Sequence, residues 1–385
     1  MQHGRLAALF YVTEYHHPMS DSKQTIYSIH VLRGIAAVAV LLTHHYGFIQ
    51  IPKTEPFGIL FSCASWGVDL FFIISGFIAA YTIPPGVAGY APALNYFVQR
   101  LIRIVPLYYL LTLSSFGADS EMWWKSIKSM LFIPAGNTSL PASAIGPIYG
   151  GARIGQGWTL NYEMFFYFIV ALSFMFGKKK WVFTALALGT IIIMPLIAFG
   201  VPADYLSHGF QFSLPYLSMM THPIILEFLL GVLIGVLYPK INARLTLLWW
   251  ALILATVWVF VVNTYSLNTN VHGIHTRGWY LALLIVALLK LEKCGYAIKN
   301  PLLLYVGTIS YSIYLLQFNI QNIFIKLFKH ASGGVITHPY WLMLLSISTT
   351  FIVAHFTHKY IEDRFSQFLK KKWANRTIFV TTPVR

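Results

Sequence analysis

Charge is what this sequence has least of. Only 10% of its 385 residues are Asp, Glu, Lys or Arg, against about 25% in soluble domains. That shortage excludes a water-soluble globular domain of any size. Acids are scarcer still, at 12 against 27 lysines and arginines, for a formal net charge of +15. The basic excess is spread through loops and the C-terminal end rather than gathered on a soluble module, which excludes nucleic acid as a partner. Cys63 and Cys294, the two cysteines, provide neither a disulfide framework nor metal-ligand spacing. A signal peptide is not evident either: LAALFYV is short, and Glu14, His16 and His17 follow it. Residues 1–25 are expected to be a cytosolic tail or a mis-assigned start, with Met19 leading into the first apolar run.

What the chain has is hydrophobic length. With 57% hydrophobic residues, it divides into ten apolar runs at 29–49, 65–83, 100–116, 158–177, 180–200, 222–239, 245–265, 277–291, 300–323 and 338–359. The expected fold class is all-α, a polytopic membrane protein of about ten transmembrane helices. If the N-terminus is cytoplasmic, 20 of the 27 lysines and arginines fall on the cytoplasmic side, as the positive-inside rule requires. Both termini are then cytoplasmic. The loop 117–157 contains an amphipathic piece, EMWWKSIKSMLFI, which suits the membrane interface. The 29 phenylalanines and 23 tyrosines are expected mostly in a lipid-facing and interfacial belt.

Polar residues inside such runs are costly and by default functional. In IHVLRGIAAVAVLLTHHYGFI, Arg33 and His44 are eleven residues apart. They therefore share nearly one helix face, about 16 Å apart along the axis. His45 is the alternative to His44, and Arg33 sits close enough to the end of its run to snorkel. The assumed orientation sorts the remaining polar residues by depth. Arg33, Arg100 and Arg103 face the cytosol, while His44, Asp69, Glu163 and Glu227 lie towards the outside. Arginines at a cytosolic mouth suit a phosphorylated ligand, although Arg100 and Arg103 taken alone are more often positive-inside anchors. A histidine beside a carboxylate suits general-base work. A phosphorylated acyl donor with a long thin arm, acyl-coenzyme A, would join the two levels. Gly231 and Gly235 are spaced for close helix packing. Trp158 is either an interfacial residue or a platform for a sugar ring.

The same residues carry a family resemblance. LRGIAAVAVLLTHH, WGVDLFFIISGFI, RLIRIVPLYY with Pro106, and GWTLNYEMFFY, followed by the weaker EFLLGVLIG, ISYSIYLLQF and HKYIEDRF, together resemble the acyltransferase family 3 membrane proteins, which O-acylate cell-surface sugars. The resemblance covers residues 26–366. It implies His44 as the catalytic histidine, with Glu163 supporting catalysis or binding the acceptor. Arg33, Arg100 and Arg103 would serve acyl-coenzyme A (acetyl-coenzyme A in the simplest case), a co-substrate rather than a bound cofactor. No metal is implied. Asp69, Trp158, Tyr311 and Gln317 are acceptor or support candidates. Gln317 stands where many members have histidine, which removes a second catalytic histidine there. IEDR at 361–364 lacks the proline that commonly follows the glutamate, a departure expected to bear on the membrane exit and not on chemistry.

Many relatives carry an added SGNH-type domain. Here residues 367–385 read as a basic cytosolic tail, so transfer to the final acceptor is expected within the membrane domain. The implied partners are acyl-coenzyme A, membrane lipids and a carbohydrate acceptor, lipid-linked or at the surface, in a bacterial inner membrane. The alternatives are a secondary transporter of a sugar or organic anion, a non-catalytic membrane scaffold, and an acyltransferase with a succinyl donor or a non-sugar acceptor. The transporter reading is weakened because no repeat or pair of broken helices is visible.

Overall fold

The computed structural model describes residues 25–49, 52, 55–115, 120–135, 146–240, 246–263, 271–331 and 339–380. The expected N-terminal tail lies outside them except for its last residue, as does most of the polar stretch of loop 117–157. Among the described residues there is no strand. The helices are α1 (Tyr27–Ile49), α2 (Pro56–Ser62), α3 (Gly67–Thr82), α4 (Tyr90–Ser114), α5 (Ser120–Met130), α6 (Gly157–Ser173), α7 (Lys180–Phe199) and α8 (Tyr205–His208). They continue as α9 (Pro215–Met220), α10 (Leu226–Leu237), α11 (Thr246–Val262), α12 (Trp279–Lys293), α13 (Pro301–Thr308), α14 (Ser310–Ala331), α15 (Pro339–Thr357) and α16 (Ser366–Val380). The chain is thus an all-α polytopic membrane protein, and each of the ten apolar runs is helical. Five stretches are by themselves long and apolar enough to cross a membrane, or six if the α13–α14 pair, bent by 66°, is one span.

The difference from ten has identifiable sources. Runs 158–177 and 180–200 lie in one stretch, Gly157–Phe199, while runs 222–239 and 245–265 yield the shorter helices Pro223–Leu237 and Thr246–Val262. The Gly157–Phe199 stretch turns at Gly177, whose φ of 55° and ψ of −121° are not helical. Only glycine adopts such a backbone without strain. Lys180, just beyond, is buried and donates from Nζ to the carbonyls of Pro84 (2.9 Å) and Val87 (2.6 Å). One of the three loop lysines therefore fastens α7 to the α3–α4 connection.

The core is a sheath of helices around α1 and α3. Small residues set the closest approaches. A Cβ on Gly76 would overlap the Phe228 carbonyl, and one on Gly231 would overlap the Ile73 carbonyl, so α3 and α10 lie backbone to backbone. A Cβ on Gly34 would come within 2.8 Å of the Gly307 nitrogen, which brings α13 against α1 beside Arg33. The aromatic residues correct the expected lipid-facing belt. Phe228 stacks on Phe72 (4.5 Å between centroids) and on Phe166 (4.6 Å), and Tyr108, Tyr149, Tyr162, Tyr280 and Phe77 are also fully buried. Glycine contacts leave room elsewhere for large rings, and offset rings pack well there. Belt residues remain, such as Trp123 and Trp124 on the amphipathic α5, both exposed.

The α3–α10 contact yields a stability prediction. Gly231→Val is expected to cost about 1–3 kcal/mol through overpacking. It would appear as a lower melting temperature in detergent than wild type, while Gly189→Val, where a Cβ meets open space, should melt close to wild type.

Candidate functional site

The second turn of α1 and the middle of α4 bring three arginines together. Arg33, Arg100 and Arg103 line one cavity with about 700 Å³ of space between atoms. Helix α6 supplies Thr159, Glu163 and Tyr167, spaced i, i+4, i+8 so that all three face it. Helix α3 supplies Val68, Phe71, Phe72 and Ser75, and α14 supplies Tyr311 and Tyr314. Four of the predicted site residues besides Tyr311 therefore meet: Arg33, Arg100, Arg103 and Glu163.

Buried cations need compensation. The Arg100 guanidinium lies over the rings of Tyr96 (5.2 Å) and Tyr167 (4.9 Å), a cation–π contact on two faces. Glu163 accepts hydrogen bonds from Ser75 Oγ (3.1 Å) and from the Tyr167 hydroxyl. Its charge acts on both Arg33 and Arg100. This corrects the depth assigned from the sequence: Glu163 stands with the arginines, not with His44. Its place is dictated by the α6 face it shares with Tyr167, which the linear distance from the end of the run does not reveal.

A second acid was missed. Glu362 accepts from the Ser312 hydroxyl, which also accepts from Thr357 Oγ1 at 2.9 Å. It acts electrostatically on Arg33. The segment His358–Phe365 is π-helical, and its wider turn places Glu362 towards α14 and the cavity. Such turns mark functional places in many helices. IEDR thus contacts α14 through the Glu362–Ser312 hydrogen bond, a link not expected from the sequence. Pro106 has a comparable local effect: it cannot donate to the Ile102 carbonyl one turn back, and Ser366 Oγ of α16 fills that vacancy at 3.1 Å.

The two histidines of α1 separate cleanly. His45 is fully buried and bonded at both ring nitrogens, to the Leu41 carbonyl (2.8 Å) and to Ser346 Oγ (3.0 Å). His44 is different. Its Nδ1 and both amide atoms of the fully buried Gln317 make no hydrogen bond of good geometry among the described residues, although the two side chains are close enough to interact. Gln317 lies beside His44. The Phe318 ring meets the imidazole edge-on at 5.7 Å, and Gln321 Nε2 donates to the His44 carbonyl at 2.9 Å. Buried unused polar atoms call for an explanation, and a ligand is one. Tyr311, Tyr314 and Gln317 follow each other at three-residue steps on α14. Tyr314, bonded to Thr159 Oγ1 at 2.8 Å, lines the cavity one turn before Gln317 on α14. Tyr311 belongs to the arginine end, where its hydroxyl donates to the Ile104 carbonyl at 2.8 Å.

Asp69 and Trp158 form a separate cluster. The buried Asp69 carboxylate accepts from the Gly273 backbone N–H (2.8 Å) and bonds His272 Nδ1 (2.8 Å). Trp158 lies 5.8 Å from the His272 ring. Glu227 is fully buried next to Asp69, and Arg277, bonded to Ser65 Oγ at 2.8 Å, balances the pair. A carboxylate on Nδ1 fixes the tautomer and directs Nε2 away from it. His272 lies outside every apolar run, so a search for polar residues within spans passes over it. No group of His, Cys, Asp and Glu suited to a metal is present among the described residues, and neither cysteine is in a disulfide.

Residues 26–357 match a protein-family model, Acyl_transf_3, described as an acyltransferase domain. The exopolysaccharide production protein ExoZ of Rhizobium meliloti (strain 1021) is 31% identical over 283 residues, which cover 68% of this chain and 78% of ExoZ. No solved structure matches the chain.

The Asp69 cluster carries its own prediction. Asp69→Ala strips the partner from a buried histidine and a backbone N–H. It should destabilise the protein by about 3–5 kcal/mol, read as an earlier thermal transition in detergent. Asp69→Asn, which retains one acceptor oxygen, should lose less.

Proposed function

The chain belongs to the acyltransferase family 3, and from that premise we propose that it moves an acyl group, most simply acetyl, from cytosolic acyl-coenzyme A to a hydroxyl of a surface or lipid-linked carbohydrate. The observation that carries this reading is the three-arginine cavity, lined in part by Arg33 of the same helix that carries the half-buried His44 three turns further on, beside Gln317. The arginines offer paired donors to the phosphates of the donor. Helix geometry sets Arg33 and His44 about 16 Å apart, a span that a thin acyl-bearing arm can bridge. The relative named for exopolysaccharide production supports a polysaccharide acceptor.

In this mechanism His44 takes the proton of the acceptor hydroxyl as the oxygen attacks the thioester carbonyl. The carbon–sulfur bond then breaks, and the histidine returns the proton to the leaving thiolate. The products are an ester and free coenzyme A. Gln317 holds the imidazole or the substrate carbonyl with its amide. Glu163 and Glu362 position the arginines and keep their charge tolerable within the protein. The acceptor approaches from the opposite side, where Trp158 and His272 offer a ring face and a hydrogen-bonding nitrogen. The protein lies in a bacterial inner membrane with about ten crossings and both termini in the cytosol.

The test uses purified protein in nanodiscs with radiolabelled acetyl-coenzyme A, following release of coenzyme A and label transferred or retained. His44→Ala is expected to lower turnover by about 10²–10⁴-fold at normal expression and melting temperature. Arg103→Ala is expected to weaken donor binding. Undiminished acyl transfer by folded His44→Ala would overturn the mechanism. Absence of donor binding by wild type would overturn the choice of donor.

A further inference from the structure

The C-terminal helix α16 is held along α4. Ser366, Lys370 and Trp373 fall at i, i+4 and i+7 and so share one face of α16. Ser366 Oγ bonds the Ile102 carbonyl at 3.1 Å, and Trp373 Nε1 donates to Asn95 Oδ1 at 3.1 Å. Between these two fastenings Lys370 reaches the wall of a second, open cavity with about 880 Å³ of space between atoms. Asn95, Gln99, Arg100 and Arg103 also line it. Arg100 and Arg103 line the first cavity as well, so the two spaces adjoin through these side chains. Lys370 lies in the fields of Arg103, Arg100 and Asp363, three cations against one carboxylate. The Asp363 carboxylate already accepts from Gln367.

We propose that Lys370, Arg100 and Arg103 form a polyphosphate subsite, so that α16 is a working part of the donor site and not a tail. The ligand chemistry is a phosphate-bearing anion. Arginine forks fix phosphate geometry, and a flexible lysine adds a point charge that follows it. The open cavity takes the phosphorylated end of the donor, and the adjoining cavity takes its uncharged arm. Lys370 falls beyond residue 357, where the family match ends, whereas Arg100 and Arg103 lie within it. The inference rests on the acyl-coenzyme A reading above.

The experiment measures equilibrium binding of labelled acetyl-coenzyme A and labelled acetyl-pantetheine, which lacks phosphate, to the full chain in phosphatidylcholine nanodiscs. Lys370→Ala should weaken acetyl-coenzyme A binding about tenfold, the loss of one charge-assisted hydrogen bond, and Lys370→Arg should restore most of it. Acetyl-pantetheine should bind wild type and both variants alike, which also shows that the variants are folded. Equal acetyl-coenzyme A affinity in wild type and Lys370→Ala overturns the subsite. An equal weakening of both donors overturns it too, because the role is then packing. An effect of Lys370→Ala seen only when anionic lipid is added assigns the charge to a lipid headgroup and overturns it as a donor site. A wild type that binds acetyl-pantetheine and not acetyl-coenzyme A overturns the subsite and, with it, the choice of coenzyme A as the donor's carrier. A wild type that binds neither overturns the donor reading and this subsite together.

Discussion

Three guanidinium groups inside a helical membrane domain set the terms for everything near them. Each is always charged, and the hydrocarbon around the protein cannot solvate it. The surrounding helices are arranged to answer that demand. Helix α6 brings Glu163 and Tyr167 on one face, α4 turns Tyr96 under Arg100, and the π-helical turn after α15 brings Glu362 towards Arg33. Two carboxylates against three arginines leave a positive remainder. A cavity with that remainder is stable enough to exist and still attracts an anion.

Backbone irregularities supply the means. Pro106 frees the Ile102 carbonyl, Ser366 occupies it, and the C-terminal helix is thereby fastened to the helix that carries Arg100 and Arg103. The bend between α13 and α14 follows the contact of Gly34 with Gly307, so the helix pair turns where α13 touches α1 beside Arg33. In each case a residue that weakens a regular helix creates a polar group or an opening that a distant segment uses. In a bilayer such openings are tolerated only where protein fills them.

Much of this was legible in the sequence. The apolar runs, the all-helical class and the meeting of Arg33, Arg100 and Arg103 follow from hydropathy, charge placement and helical spacing. Gly231, read as a packing residue, does pack against α3. What escaped was rotation and partnership. Distance along a run gives depth only roughly, and it placed Glu163 with His44, whereas the α6 face turns it towards the arginines. Glu362 was invisible because a π-helical turn changes which side a residue faces, and the sequence carries no clear mark of such a turn. His272 sits in a connecting segment, where polar residues are ordinary. Its partnership with Asp69 depends on the way α3 meets the turn before α12. His44 was named through the family resemblance, and the use of both His45 ring nitrogens by Leu41 and Ser346 is what two adjacent letters do not reveal.

The rings in the wall of the arginine cavity have an electrical consequence. Phe71, Phe72 and Tyr314 stand there, with Tyr314 meeting Phe71 edge-on at 5.5 Å and its hydroxyl already bonded to Thr159. A membrane voltage falls mainly across the least polarisable layer of a path, which here is this layer of rings. A unit charge carried across the full membrane exchanges about 2.3 kcal/mol per 100 mV; an uncharged acyl group exchanges none. Chemistry that sends only a neutral group through the rings is therefore indifferent to how strongly the membrane is energised.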